Sequence, residues 1–135
     1  MVACGDDDDE NSLSGATFLP VSDVLENCND PSENQSYTYD SNGCVDDVFV
    51  TLCTEFKFNS GSSGVIIAMG SVFGLPFTEE TTFTYTLNGD AIELCFLEPD
   101  TQDEYCGSGT VDGDTITFSG VDTDGCNFTN VIRRK

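Results

Sequence analysis

Phe83-Thr84-Tyr85-Thr86-Leu87-Asn88-Gly89-Asp90-Ala91-Ile92-Glu93-Leu94 is the stretch that decides the fold. Its apolar and polar side chains alternate on both sides of the Asn-Gly pair, as is typical of strands that bury one face. Asn-Gly is a strong signal for a two-residue hairpin, because a type I′ turn needs positive φ at both central positions. The stretch predicts an antiparallel hairpin with these opposite pairs: Leu87 and Asp90, Tyr85 and Ile92, Phe83 and Leu94.

Asp112-Gly113 is a second hairpin signal of the same kind. It sets Gly109 opposite Ile116 and Gly107 opposite Phe118. Both glycines then fall on the inner face of the sheet, where a missing side chain marks tight curvature, an aromatic ring packed over the gap, or a cavity. Curvature or packing is the favoured interpretation, and a cavity is the alternative.

Residues 99–102, Pro-Asp-Thr-Gln, predict a four-residue turn between these two hairpins. The turn sets Phe96 opposite Tyr105 and Cys95 opposite Cys106, which predicts a cross-strand disulfide on the outer face, worth about 3 kcal/mol. The three turns agree on the faces of the sheet, and a one-residue slip would scramble them. The predicted inner face carries Phe83, Tyr85, Ile92, Leu94, Phe96, Tyr105, Ile116 and Phe118. Of these, Phe83, Tyr85, Phe96, Tyr105 and Phe118, with Gly107 and Gly109, are the candidate ligand-lining residues, and a plain core is the competing interpretation of the aromatic stripe.

The whole chain reads as one all-β domain at 14–135, after a tether at 1–13. A polar insertion at 26–46 separates the first two strands, and 22–27 is a candidate turn of helix. Because each strand is apolar on one face, closing the sheet into an eight-stranded antiparallel up-and-down barrel would cover that face and remove the edges. A two-sheet sandwich is the alternative. The predicted strands are 15–21, 47–58, 64–73, 77–88, 91–98, 103–111, 114–120 and 126–134.

Seven cysteines are an odd and high number for a chain of 135 residues. If Cys4 is set apart, six remain, and an even set in an exported chain predicts three disulfides in an oxidising compartment. Beyond the Cys95–Cys106 pair the connectivity is open. A local Cys28–Cys44 bridge, with Cys53 and Cys126 linking distant strands, is the working hypothesis.

The charge balance, 25 Asp and Glu against 4 Lys and Arg, gives a net charge of −21. It argues against nucleic acid, which is bound through basic side chains, and against adsorption to anionic lipid. Without histidine the usual catalytic triads are excluded, so an enzyme is not expected, and no cofactor is implied. Asp122 and Asp124 resemble the start of a calcium loop but lack the downstream Glu of an EF-hand. They are weak metal candidates, and no other metal site is predicted.

The chain resembles the lipocalin-like lipoproteins of Bacteroidota. Met1-Val2-Ala3-Cys4 is similar to the lipobox that ends a lipoprotein signal peptide, and the acidic residues 5–10 look like its tether. The charged start and apolar stretch of a full signal are missing, so we interpret Met1 as an internal or engineered start, or as a start codon assigned too late. The similarity continues in Leu13-Ser14-Gly15-Ala16-Thr17-Phe18-Leu19, in Cys53-Thr54-Glu55-Phe56-Lys57-Phe58-Asn59, in the two hairpins and in Ile132-Arg133-Arg134-Lys135.

The resemblance implies a monomeric outer-membrane lipoprotein, displayed at the cell surface and attached to the membrane only through lipid on Cys4. It implies a barrel that binds a small apolar or amphipathic ligand. The alternative function is a structural or protein-interaction module that acts through its loops, above all the 26–46 insertion. One departure is the Trp that usually follows the opening Gly in this group: this chain has none, and Phe18 stands nearby. We expect Arg133 or Arg134 to pack on Phe18 in its place.

Overall fold

The computed structural model describes residues 13–46, 49–59, 62–97, 102–121 and 125–135. Ten strands and one short 3-10 turn, Pro31–Glu33, make up the described chain, and none of its helical segments is long and apolar enough to cross a membrane. The strands are β1 (Thr17–Glu26), β2 (Gln35–Thr38), β3 (Cys44–Asp46), β4 (Val50–Phe58), β5 (Ser63–Val72), β6 (Leu75–Asn88), β7 (Ala91–Leu97), β8 (Glu104–Asp112), β9 (Thr115–Val121) and β10 (Asn127–Arg134).

Eight of these strands form a closed antiparallel barrel. Strands β4 to β10 pair in sequence, β10 pairs with β1, and β1 pairs with β4 through Thr17 opposite Lys57 and Phe18 opposite Phe56. This last pairing closes the sheet into a barrel at that end, while β2 and β3 are the outermost strands in the order of the sheet. The predicted eight-stranded up-and-down barrel is confirmed.

The 26–46 insertion is part of the barrel wall. Strands β1 and β4 pair directly at one end of the barrel and diverge toward the other, where β2 pairs with β1 and β3 pairs with β4. The prediction of a turn of helix at 22–27 is therefore wrong. Strand β1 continues to Glu26, because it has a partner strand on each side, β10 and β2.

The two tight hairpins differ from the predicted register by two residues. Asn88 pairs with Ala91 and Asp112 with Thr115, so the central residues are Gly-Asp in both turns. Gly89 and Gly113 have φ of +64° and +61°, while the following Asp residues lack positive φ. This is the type II′ pattern, which avoids the cost of about 1–2 kcal/mol for a non-glycine residue in the left-handed region.

The shift by two leaves every face assignment unchanged, because side chains alternate with period two. Tyr85 pairs with Leu94, Phe83 with Phe96 and Gly109 with Phe118, in place of the predicted partners Ile92, Leu94 and Ile116. The register across the third turn, with Cys95 opposite Cys106 and Phe96 opposite Tyr105, is confirmed.

Three disulfides join the six cysteines after Cys4. Cys95–Cys106 is the predicted cross-strand bridge. The hypothesis for the other four cysteines is wrong: Cys28 bonds Cys126 and Cys44 bonds Cys53. The physical reason is the insertion, since β3 lies beside β4 and brings Cys44 opposite Cys53 in register.

One end of the barrel is packed solid. Phe18 and Phe58 are almost fully buried, with ring centroids 5.3 Å apart, and the guanidinium carbon of Arg134 lies 5.2 Å from the centroid of the Phe18 ring. The predicted Phe18–Arg contact is thus present. The rest of the core lies here as well, namely Leu13, Ala16, Phe83, Tyr85, Ile92 and Ile116, except for Leu94, Phe118 and Ile132, which line the cavity described below.

Candidate ligand-binding cavity

The other half of the barrel encloses a cavity of about 690 Å³. Side chains from β1, β2, β4, β5, β7, β8, β9 and β10 line it, so it lies inside the barrel. Exposed side chains at its rim, among them Tyr37 and Val121, show that it opens to solvent. Its volume falls in the range of pockets that hold small organic ligands.

The aromatic stripe divides between the two halves of the barrel. Phe96, Tyr105, Gly107 and Phe118 line the cavity, as predicted for ligand-lining residues. Phe83, Tyr85 and Gly109 do not line it and belong to the packed end, where Phe83 and Tyr85 are in the core. The stripe is therefore both a core and a cavity wall, separated along the barrel axis.

The two inner glycines have different surroundings, although they lie two residues apart in β8. A Cβ atom at Gly109 would lie 2.5 Å from the Thr117 carbonyl oxygen, so this glycine allows close backbone packing. A Cβ atom at Gly107 would meet nothing nearer than Phe118 and Phe128, both at 3.9 Å. The sequence analysis left packing and a cavity as alternative reasons for these two glycines. Close packing is the reason at Gly109, and Gly107 faces the cavity.

Much of the lining comes from residues that the sequence did not indicate. Tyr37 and Tyr39 belong to the insertion, and Phe128 and Asn130 to the last strand. The alternation Phe128, Asn130, Ile132 in β10 was an available signal for the last strand. The insertion gave no usable signal, because its path along the wall depends on how β1 and β4 diverge.

A β-bulge in β1 determines which of its side chains enter the cavity. Pro20 pairs with Ile132 and Ser22 with Val131, so that Val21 is an extra residue. The extra residue reverses the alternation that follows it, and bulges commonly redirect side chains in this way. As a result Asp23 lines the cavity, where a regular strand would have placed its neighbour.

Asp23 is held by two hydrogen-bond donors. The Tyr39 hydroxyl donates to Oδ2 at 2.6 Å. Asn130, with its amide nitrogen turned toward the carboxylate, donates to Oδ1 at 3.3 Å. Burial raises the pKa of Asp23 above its ordinary value of 3.8, and the Tyr39 hydrogen bond opposes this shift. Burial, together with the hydrogen bond to Asp23, raises the pKa of Tyr39 as well.

The charges of the chain are distributed unevenly between the two ends. All four basic side chains, Lys57, Arg133, Arg134 and Lys135, lie near the closed end, where β10 ends beside the start of β1. Arg134 is 3.6 Å from Asp114, and Lys135 is 3.1 Å from Glu55. Among the described residues that line the cavity, Asp23 is the only Asp, Glu, Lys or Arg.

Cys4, Asp122, Asp124 and the start of the predicted second strand at 47–48 lie outside the described residues. Within the described residues, Glu104 comes close to Cys95 and Cys106 in a cluster with ligand-like spacing. These two sulfurs are bonded to each other. Since metals are bound by thiolates, this cluster lacks the ligands that its spacing suggests.

Comparison with known proteins supports the fold. Neither the family models nor the curated proteins include a match to this chain. The chain is similar to the solved structure of a redesigned β-barrel, with a TM-score of 0.53 and 19% sequence identity. The similarity covers 93% of this chain and 95% of the designed one. At this level of identity the comparison shows an antiparallel β-barrel and carries no information on function.

Proposed function

We propose that this protein is a non-enzymatic binding protein of lipocalin-like type, which holds a small apolar or amphipathic ligand inside its barrel. The observation that carries the proposal is the cavity of about 690 Å³ at one end of a barrel whose other end is packed solid. Apolar and aromatic side chains with a few polar groups are the usual lining of small-molecule sites. A barrel that served only as a scaffold would gain stability from filling this space.

The test uses a neutral fluorescent probe, N-phenyl-1-naphthylamine, titrated into the purified domain. Gly107→Phe would place a ring in the cavity, while Ser108→Phe places the same ring on the exposed outer face of β8. We expect saturable fluorescence enhancement with the wild type and Ser108→Phe, and its loss with Gly107→Phe. Equal binding by both variants would place the probe outside the cavity and refute the proposal.

The natural ligand can be sought by mass spectrometry of protein purified from its native host. We expect a discrete extra mass under non-denaturing conditions that is lost on denaturation. The denatured polypeptide should be six hydrogens lighter than the reduced chain, because of the three disulfides.

We also propose that the barrel is displayed at the surface of the outer membrane through lipid on Cys4. The proposal is supported by the lipobox-like residues 1–4 and by the acidic tether that follows them. More than one acyl chain is needed for stable attachment. We expect the mature protein to carry this added mass on the Cys4 residue and the Cys4→Ala variant to be released from the membrane. An unmodified Cys4 thiol would contradict the proposal.

The alternative, an interaction module, is favoured by one observation at the open end. Phe73 and Leu75, at the turn between β5 and β6, are each more than 70% exposed, and Phe73 contacts the exposed Phe49. The insertion cannot be deleted to test this alternative, since it forms part of the wall. Absence of probe binding, together with loss of partner capture in a Phe73→Ser, Leu75→Ser variant, would favour this function over ligand binding.

A further inference from the structure

We infer that the cavity selects a ligand with a protonated amine beside its apolar part, and that the Asp23 carboxylate receives the ammonium group. The inference rests on the proposed function and specifies its ligand class. It starts from the bulge at Val21, which turns the acidic Asp23 rather than a neighbouring side chain toward the interior. Placing a carboxylate in a largely apolar cavity is unfavourable unless something compensates its charge.

The charges around the site favour a cation over an anion. The described lining offers no Lys or Arg that could pair with a ligand carboxylate or phosphate, and the whole chain carries a net charge of −21. All four basic side chains lie near the opposite end of the barrel. An anionic amphiphile would therefore enter against the field of the protein, whereas a cation would be attracted.

The geometry of Asp23 leaves acceptor capacity for a ligand. A carboxylate offers about four lone-pair sites, and the described donors Tyr39 and Asn130 take one on each oxygen. Burial raises the pKa of Asp23, so these two neutral donors do not fully replace water around the charge. An ammonium group is a charged donor with three N–H bonds and would supply the compensation.

Aromatic rings near the carboxylate suit the same ligand. Tyr39 contacts Asp23 directly, and Tyr37, which lies opposite Asp23 in the β1–β2 pairing, also lines the cavity. The faces of aromatic rings attract ammonium groups. The apolar part of the ligand would then lie against Phe96, Phe118 and Phe128.

A structural role for Asp23 is the competing explanation, because its bond to Tyr39 fastens the insertion to β1. The two roles differ in what the Asp23→Asn variant changes. Asn is nearly isosteric and its carbonyl can still accept from Tyr39, so the wall is kept while the charge is removed. Glu26→Gln, at the exposed end of the same strand, removes one charge without touching the cavity and is the matched control.

The experiment measures displacement of N-phenyl-1-naphthylamine by three ligands of equal chain length: decylamine, decanol and decanoate. For the wild type and Glu26→Gln we expect decylamine to bind at least tenfold more tightly than decanol, because one hydrogen bond to a charged group changes affinity by about this factor. We expect decanoate to bind most weakly of the three. For Asp23→Asn we expect decylamine and decanol to bind about equally. The preference for decylamine over decanol should persist at about 1 M salt. At this concentration the attraction from exposed charges is screened beyond about 3 Å, whereas a contact with a buried carboxylate is screened much less.

Equal binding of decylamine and decanol by the wild type, or a preference that survives in Asp23→Asn, would overturn the inference and leave the proposed function intact. Failure of all three ligands and of the probe would instead overturn the proposed function itself. Thermal unfolding of Asp23→Asn provides the folding control, and we expect no loss of stability, because the variant removes a charge whose burial is unfavourable.

Discussion

Substituting the two inner glycines of β8 by alanine tests the division of the barrel into a packed half and a hollow half. Gly107 and Gly109 lie on the same face of the same strand and neither has positive φ, so alanine is allowed by the backbone at both. Glycine inside a strand costs roughly 0.5–1 kcal/mol relative to alanine. Any difference between the variants therefore reports on what the new methyl group meets.

At Gly107 the methyl group would lie 3.9 Å from the Phe118 and Phe128 rings, an ordinary contact. We expect Gly107→Ala to stabilise the domain by up to about 1 kcal/mol. At Gly109 the methyl group would lie 2.5 Å from the Thr117 carbonyl oxygen, which is backbone and cannot rotate away. Overpacking of this kind costs about 1–3 kcal/mol.

The gain from replacing glycine is common to both variants, so they should differ by the overpacking cost of about 1–3 kcal/mol, or roughly 4–12 °C in Tm for a domain of this size. Urea unfolding with the disulfides intact, followed by intrinsic tyrosine fluorescence, measures the difference. If Gly107→Ala is destabilised as much as Gly109→Ala, atoms fill the space beside Gly107, and the reasoning that assigns a cavity there is refuted.

Three further predictions follow from single features of the structure. Replacing both Cys28 and Cys126 by Ser should lower the free energy of unfolding by about 4–5 kcal/mol, because this bridge closes a loop of 98 residues. Replacing Cys95 and Cys106, whose bridge closes a loop of 11 residues, should lower it by about 3 kcal/mol, and denaturant unfolding of the two variants measures both values. Phe73 has φ of +51° and a largely exposed ring, so Phe73→Asn should raise stability by about 1 kcal/mol, measured by thermal unfolding. Burial raises the pKa of Asp23, so the folded state binds a proton on this carboxyl group more tightly than the unfolded state does. The stability of the wild type relative to Asp23→Asn should therefore be highest below pH 3.8 and fall as the pH rises through the raised pKa. A relative stability that instead increases with pH over that window would contradict this sign.

The faces of the sheet could be predicted from the sequence, and the turns could not be predicted to the residue. Alternation in β6 and β7 fixes which side chains point inward, and a register change of two residues leaves that unchanged. Asn88-Gly89-Asp90 contains two possible two-residue turns, Asn-Gly and Gly-Asp, and local preference alone favours the first. The structure has the second, in which glycine alone takes positive φ.

The cavity itself was less predictable, because it depends on contacts between distant segments. Phe96, Tyr105, Gly107 and Phe118 were identified because a hairpin pattern places them together. Tyr39, from the insertion, could not be identified in this way. Its position depends on β1 and β4 diverging and on β2 and β3 occupying the space between them. The same divergence explains why the disulfide hypothesis failed for the four cysteines in or next to these segments.

The bulge in β1 connects the local sequence to the selectivity that we infer. Proline has no backbone N–H for the sheet ladder and is accommodated at bulges and edges, and Pro20 lies where the register of β1 shifts. On the near side of the shift Phe18 points into the packed end, and on the far side Asp23 points into the cavity. Deleting Val21 removes the one residue of this segment that has no partner in β10, so Asp23 should stay opposite Asn130 and keep its place at the cavity wall. We expect this variant to keep its preference for decylamine over decanol, in contrast to Asp23→Asn, because it retains the carboxylate beside Asn130. Equal binding of decylamine and decanol by the folded deletion variant would mean that an inward carboxylate opposite Asn130 does not by itself select the ligand, and would contradict the assignment of the ammonium site to Asp23.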